Sequence, residues 1–419
     1  TNTAKAPSSP NATLPKCTLI SFAKIYKVPM YGGAFAVPPL NIFSNQQYLM
    51  FNFSFNLLPV KRWAVGAAVL AVACSLTACS RYFSDGEAQN ANKVVVLTPF
   101  PNATAEELAT AFTAETGIQV EQVLDSTTKI LARLRIEKRN PRGDVWYSGG
   151  GCIPFMTAVK EDLLAPYIPK EHSQIPEKRG NLTMRDKSWR WLPLAIVSQG
   201  YCYNPQVMPY EKIPKTWDEL ALPKWKGQIE MWDPADSGTS MLFLAAAIQR
   251  YKKPNGDESA GWEYLTKVFH NLKRYTREGK PAFSVARGDT KIGLHFESQY
   301  LEFLDQQRGD DQLSHVQDNI AWYLPPESPV IADAIALIKD CPHPENGRRF
   351  IDFCLSDKGQ KIINRYFFSI NPTLPPPKGL KGVTLDTLLE RAQKLDLEWT
   401  AENYDRLRKQ WQNTVEAAD

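Results

Sequence analysis

The residues of this 419-residue chain best suited to chemistry are small hydroxyls and glycines gathered in three loops. Asp125-Ser126-Thr127-Thr128 stands between an apolar run and a helical pattern. Ser148-Gly149-Gly150-Gly151 follows a short apolar run ending at Tyr147. Asp236-Ser237-Gly238-Thr239-Ser240 follows Trp232-Asp233-Pro234 and opens another helical pattern. Free backbone N–H groups, hydroxyls and the positive end of a helix dipole together favour an anion. Ser, Thr or Asp at a helix start is also what N-capping requires, so the weight rests on the coincidence of all three loops. Ser126, Thr127, Ser148, Gly149, Ser237, Gly238 and Thr239 are thus candidate ligand-binding residues. A fourth region is Leu294-His295-Phe296-Glu297-Ser298-Gln299-Tyr300. Strand alternation sets His295 and Glu297 on one face, where with Tyr300 they could hydrogen-bond a ligand or hold a metal. His295 reads equally as a satisfied core histidine, and Tyr300 as a packed ring at a helix start.

These loops need elements to position them. Lys93–Phe100 is a nearly continuous β-branched run, as in a strand buried on both faces. Thr104 begins a helix with Glu107 as a capping-box partner, and Ala105, Leu108 and Phe112 share its apolar face. Gly117 ends that helix, Ile118–Leu124 is the next strand, and a helix from about Ser126 to Arg139 stops at Asn140-Pro141. Asp144–Tyr147, Gln228–Trp232 and Thr290–Phe296 read as further strands, and Thr239–Tyr251 and Asp257–His270 as helices. The alternation predicts an α/β protein with doubly wound sheets, whose ligands sit beyond the carboxyl ends of the strands. Leu192–Tyr203 and Asn319–Leu324, apolar and flanked by prolines, read as strands crossing between two lobes. Lobe one is then 92–194 plus 328–375, lobe two 195–327, and 376–419 a helical tail.

Upstream, residues 1–78 carry six Lys or Arg and no acid. Taking those six from the 49 basic residues leaves 43 against 45 acids, so the body has no basic excess to favour nucleic acid. Lys61-Arg62 followed by apolar Trp63–Ala78 reads as a secretory signal, shorter than the roughly 20 residues that span a bilayer. It ends in Leu76-Thr77-Ala78-Cys79, which looks like a lipobox, with Ala73-Cys74 a weaker alternative. Residues 50–79 are accordingly taken as a lipoprotein signal peptide from Met50 to the acylated Cys79, and 1–49 as a mis-called or disordered extension. Cys152, Cys202, Cys341 and Cys354 lack CxxC spacing and read as buried thiols.

The ordered set of segments resembles the extracellular solute-binding proteins of bacterial ABC importers, of the ferric-ion, phosphorylated-solute and polyamine–thiamine type. It runs from Thr116-Gly117-Ile118-Gln119-Val120 and Ser126–Leu134 through Glu137–Val145, Leu163–Tyr167 and Thr216-Trp217-Asp218-Glu219-Leu220. Asp233-Pro234, Ser237-Gly238-Thr239, Val285-Ala286-Arg287-Gly288-Asp289 and Phe350–Ser356 complete it. The resemblance implies a type II periplasmic-binding fold that closes by hinge motion near 195–200 and 320–326. It also implies that the ferric members place two adjacent tyrosines where this chain has Gln299-Tyr300. One tyrosine with Glu297 is a poor anionic oxygen set for a ferric ion. Members that take organic phosphates use helix-start hydroxyls and amides for the phosphate, a task that suits Ser126, Thr127, Ser237, Gly238 and Thr239. His295 and Glu297 would then hold the organic part. The expected protein is a monomeric lipoprotein at the periplasm or cell surface, anchored through Cys79, without cofactor or catalytic activity. It would capture a small anionic solute, such as a hexose phosphate or phosphonate, for an inner-membrane ABC permease or a sensor kinase. A ferric-ion-binding protein using Tyr300 and Glu297 is the alternative. A secreted hydrolase is the alternative of another class, but no GxSxG, HExxH or Cys with a positioned His supports it.

Overall fold

The computed structural model describes residues 92–99, 103–276, 281–307, 319–380 and 382–415. The extension 1–49, the signal 50–79 and Cys79 lie outside them. Apolar β-branched runs form the strands of one sheet that divides into two halves. In the first half β1 (Lys93–Thr98) pairs in parallel with β2 (Gln119–Leu124) on one side and β3 (Val145–Tyr147) on the other. Short β4 (Leu164–Ala165) lies at the end of this half, while β5 (Lys178–Arg179) and β6 (Leu182–Thr183) form a separate small ribbon. The long strand β7 (Leu192–Tyr203) is buried along its whole length. The second half adds β8 (Ile229–Trp232), β9 (Leu272–Thr276), β10 (Ile292–Phe296) and β11 (Ala321–Tyr323). The chain then returns to the first half through β12 (Val330–Ile338), giving the path β2-β1-β3-β12-β7-β10-β8-β9.

β7 is the shared member. Its residues Leu192–Ser198 pair antiparallel with β12, whereas Gln199–Tyr203 pair antiparallel with β10, and Tyr201–Tyr203 also with β11. The strand thus changes sheets between Ser198 and Gln199, and the chain crosses back between β11 and β12. Two lobes on shared crossing strands follow from that topology.

Helices cover both halves. In the first lobe these are α1 (Ala103–Thr116), α2 (Thr127–Ile136) and α3 (Ile153–Lys160). In the second they are α4 (Gly238–Tyr251), α5 (Ser259–His270), α6 (Pro281–Ala286) and α7 (Glu297–Gln307). α8 (Pro344–Leu355) and α9 (Asp357–Ile363) return to the first lobe. The stripe Ala105, Leu108 and Phe112 is buried as its spacing requires, and Phe112 meets Phe350 edge-on at 5.2 Å. The expected capping box at Thr104 does not form. The helix already includes Ala103, the Thr104 hydroxyl is buried without a partner, and Glu107 pairs instead with Arg365. Cys152, Cys202, Cys341 and Cys354 are free and buried.

The tail contains α10 (Leu385–Glu390) and α11 (Leu397–Val415). Ala401, Tyr404, Leu407 and Trp411, three or four residues apart, bury one face of α11. Its backbone carbonyl at Ala401 accepts from Thr157 of α3 at 3.1 Å, and Thr400 bonds Gln249 of α4 at 2.6 Å. Asp405 pairs with Arg135 of α2 at 2.7 Å and Arg406 with Glu258, beside α5, at 2.8 Å. The helix is therefore fastened to both lobes. Among the described residues no helix is long and apolar enough to cross a membrane.

Candidate functional site

The segments leaving β2, β3 and β8 meet where β7 changes sheets. Ser126 caps α2, its Oγ accepting from the Lys129 amide at 3.4 Å. Thr127 Oγ1 donates to the Gly149 carbonyl at 3.1 Å and so ties the helix start to the glycine loop. That loop turns sharply: Gly149, Gly150 and Gly151 have φ of +136°, +84° and +85°, values that only glycine adopts freely in succession. Ser148 precedes them at φ +59°, an uncommon conformation for a residue with a side chain.

Asp333 holds that conformation. It lies at a register shift in β12, fully buried, and accepts from Ser148 Oγ and, at 3.1 Å, from the Gly151 amide. Burial pushes its carboxyl above the ordinary range, and the Ser148 and loop-amide bonds oppose that rise. The Ser148 hydroxyl is accordingly turned to Asp333.

The second lobe brings its own helix start to the same seam. Ser237 caps α4 by accepting from the Ser240 amide at 3.4 Å. Gly238 lies against the glycine loop so closely that a Cβ there would stand 2.5 Å from the Gly149 carbonyl oxygen and 3.0 Å from Gly150 Cα. Gln199, on the crossing strand, donates through Nε2 to the Thr239 carbonyl at 3.0 Å, while its buried Oε1 has no partner. All seven loop candidates are therefore brought to one seam, although the hydroxyls of Ser126, Ser148 and Ser237 are engaged within the protein.

The fourth region divides. His295 is fully buried, its Nδ1 2.8 Å from the Phe296 carbonyl and its Nε2 3.1 Å from Cys202 Sγ. Tyr300 stacks on Trp322 at 5.9 Å, and burial pushes its phenol well above the ordinary range. Both residues are built into the packing of the second lobe. Glu297 instead reaches back to the crossing point. Its Oε2 accepts from the Ser198 amide at 2.7 Å and the Ser198 hydroxyl at 2.9 Å, and its buried Oε1 has no partner. Burial pushes this carboxyl up to about 8, the Ser198 bonds oppose the rise, and nearby Asp333 adds to it. Among the described residues neither Glu297 nor Asp333 forms an ion pair with Lys, Arg or His.

Further contacts join the lobes beside this seam. The Ala103 amide of α1 donates to Glu302 of α7 at 3.0 Å, and Asp305 of α7 pairs with Arg365 at 3.1 Å and accepts from Tyr366. Ser198, Gln199 and Asp333 belong to the site without having been candidates. For Asp333 a signal existed: it is the one charged residue inside the apolar run Val330–Ile338, and a buried carboxylate requires partners. Among the described residues no three His, Cys, Asp or Glu side chains gather as a metal set. The arrangement brings two helix starts, the glycine loop and two buried carboxyls to one seam between the lobes.

The family model described as bacterial extracellular solute-binding protein matches residues 154–399, more than half of the chain. The chain belongs to that family. Its receptors are solute-binding components of ABC importers. Among the relatives of this solute-binding protein, a Haemophilus influenzae protein of uncharacterised function is 25% identical over 76% of this chain and 91% of its own length. A Salmonella typhimurium protein named as a candidate 2-aminoethylphosphonate-binding periplasmic protein is 24% identical, covering 69% of this chain and 80% of its own. An Fe(3+)-binding periplasmic protein of Serratia marcescens is 23% identical over 68% and 82%. The periplasmic binding protein AfuA of Actinobacillus pleuropneumoniae, solved with fructose-6-phosphate, shares the fold: TM-score 0.66, 24% identity, 77% of this chain and 98% of that one.

Proposed function

We propose that this receptor captures an organic phosphate or phosphonate between its lobes and delivers it to an ABC permease. The observation that carries this reading is the seam itself. The start of α2, the glycine loop and the start of α4 come together from both lobes, so an oxyanion there would meet backbone amides and two helix dipoles. The hinge of this reading is the Ser198–Gln199 switch and the β11-to-β12 return, with lobes of 92–194 plus 328–375 and 195–327 and a tail of 376–419. Closure would bury the solute, and the permease would read the closed form. The relatives with periplasmic names support an extracytoplasmic location, where Cys79 would carry the lipid that keeps a monomeric receptor at the membrane.

The ferric-ion relatives favour a second reading, in which Tyr300 and Glu297 would be ligands. Against it stands the packing of Tyr300 on Trp322, which disfavours the phenolate a ferric ion needs. A thermal-shift screen of purified residues 80–419 against hexose phosphates, phosphonates, inorganic phosphate and ferric citrate separates the two. Stabilisation on the order of 4 kcal/mol is expected at a thousandfold excess of the cognate solute over its Kd. A shift with phosphorylated solutes, weakened by Gly238→Val, would support the oxyanion seam. A shift with iron alone, lost in Tyr300→Phe, would overturn it.

A further inference from the structure

The lobes touch on two faces, and the contacts differ in kind. The strand order β2-β1-β3 makes the crossovers through α1 and α2 run in opposite directions. Such crossovers are right-handed, so the two helices cover opposite faces of the first sheet. On the α1 face the contacts are polar and lie on α7. Glu302 accepts from the Ala103 amide at the start of α1 at 3.0 Å. Asp305, one turn further, pairs with Arg365 at 3.1 Å and accepts from Tyr366. The Asp305 and Arg365 side chains are 32% and 48% exposed, so water competes for that pair. On the α2 face the lobes are joined through α11. Its Asp405 pairs with Arg135 of α2 at 2.7 Å and its Glu402 with Lys160 of α3 at 2.9 Å. Towards the second lobe, Gln249 of α4 donates to Thr400 at 2.6 Å and accepts from the Asp396 amide at 2.7 Å. Buried Trp411 meets Phe269 of α5 edge-on at 6.1 Å. Buried aromatic surface holds two bodies together more firmly than a half-exposed ion pair.

We propose that α11 is the pivot of this receptor: the lobes stay joined along it and part on the α7 face, where Glu302 and Asp305 form a latch. The inference rests on hinge motion between the lobes and not on the chemistry of the solute. Rotation about β7 and the β11-to-β12 return carries α4 and α5 away from α2 and α3 unless its axis runs beside the helix that holds both pairs. Breaking the α11 contacts would bring part of the face formed by Tyr404, Leu407 and Trp411 into water. Breaking the α7 contacts frees carboxylates, a guanidinium and an amide, all of which water solvates well. An axis beside α11 is therefore the less costly one. Because α1 begins just beyond the carboxyl end of β1, a gap between its start and α7 leads to the seam.

The test is double electron–electron resonance on the ligand-free full chain, with spin labels on keto side chains so that its cysteines stay untouched. One label pair, at Glu106 of α1 and Gln306 of α7, spans the latch. The other, at Ile136 of α2 and Glu263 of α5, spans α11, and all four residues are exposed. The latch pair is expected to show a second, longer distance and the α11 pair a single one. Asp305→Asn removes the charge facing Arg365. It should raise the ratio of long to short distances in the latch pair about two- to fivefold and leave the α11 pair unchanged. A long distance in the α11 pair, or a change there on Asp305→Asn, would overturn the pivot and leave hinge closure and the oxyanion reading standing. A single short distance in both pairs, unaltered by Asp305→Asn, would overturn the pivot and the hinge together.

Discussion

At the scale of single residues, the seam is organised by two carboxyls that the chain buries, Asp333 and Glu297. Asp333 fixes Ser148 and the Gly151 amide, so Asp333→Ala should leave those donors unpaired and release the left-handed Ser148. A stability loss of about 2–4 kcal/mol is expected in urea unfolding, together with weaker solute binding. Glu297 gives a pH dependence of defined sign. Its folded carboxyl is raised to about 8 from an ordinary value near 4.5, so between those values the native state binds more protons than the unfolded one. Stability of the ligand-free protein should therefore fall as pH rises from about 5 to 8.5, by a few kcal/mol at most. Glu297→Gln should flatten that slope, read from urea midpoints across pH; an unchanged slope would assign the pH dependence elsewhere. The helix starts and the tight turn that carry the hydroxyl and glycine candidates were legible because such positions use few residue types. Ser198 and Gln199 were not, since a polar pair within a long strand carries no motif. For His295 and Tyr300 residue type left two readings open, and the packed one is what the contacts with Cys202 and Trp322 show.

At the scale of elements, the meeting of Gly238 with the glycine loop sets how far the helix starts can approach. Gly238 has ordinary helical backbone, so alanine there meets only the opposite lobe. Gly238→Ala should lower the unliganded melting temperature, because its Cβ would stand 2.5 Å from the Gly149 carbonyl oxygen. Solute affinity should fall as well, at least about tenfold by calorimetry, since the seam no longer fits. A loss of stability without a loss of affinity would show that the contact has no part in closure. The strand–helix alternation up to β3 was readable from apolar runs and breakers. β12 was not singled out, since alternating Ala332, Ala334 and Ala336 around a buried acid resembles neither a rich strand nor a clean helix face. The α1 capping box failed for a related reason: Glu107 is taken by Arg365, some 258 residues away.

At the scale of the molecule, α11 spans the two lobes and contributes through its apolar face more than through its ion pairs. Arg406→Ala removes a pair whose arginine is 43% exposed and should cost less than about 1 kcal/mol. Trp411→Ala removes a side chain that is 1% exposed and should cost about 3–5 kcal/mol by urea unfolding. The reverse ranking would mean that the tail is held by charge. The order of strands has a further bearing, on how the chain comes to be folded at all. β12 lies between β3 and β7, with Ile335 opposite Tyr147, so the centre of the first sheet is supplied by residues made long after its neighbours. Any apparatus that delivers the polypeptide N-terminus first, a ribosome or a secretion channel, exposes β1 to β3 with an open edge until residue 338 has emerged. Such a chain has high contact order and folds slowly. A chaperone that shields the β3 edge would therefore govern its yield, and slowed synthesis should favour aggregation over the native state.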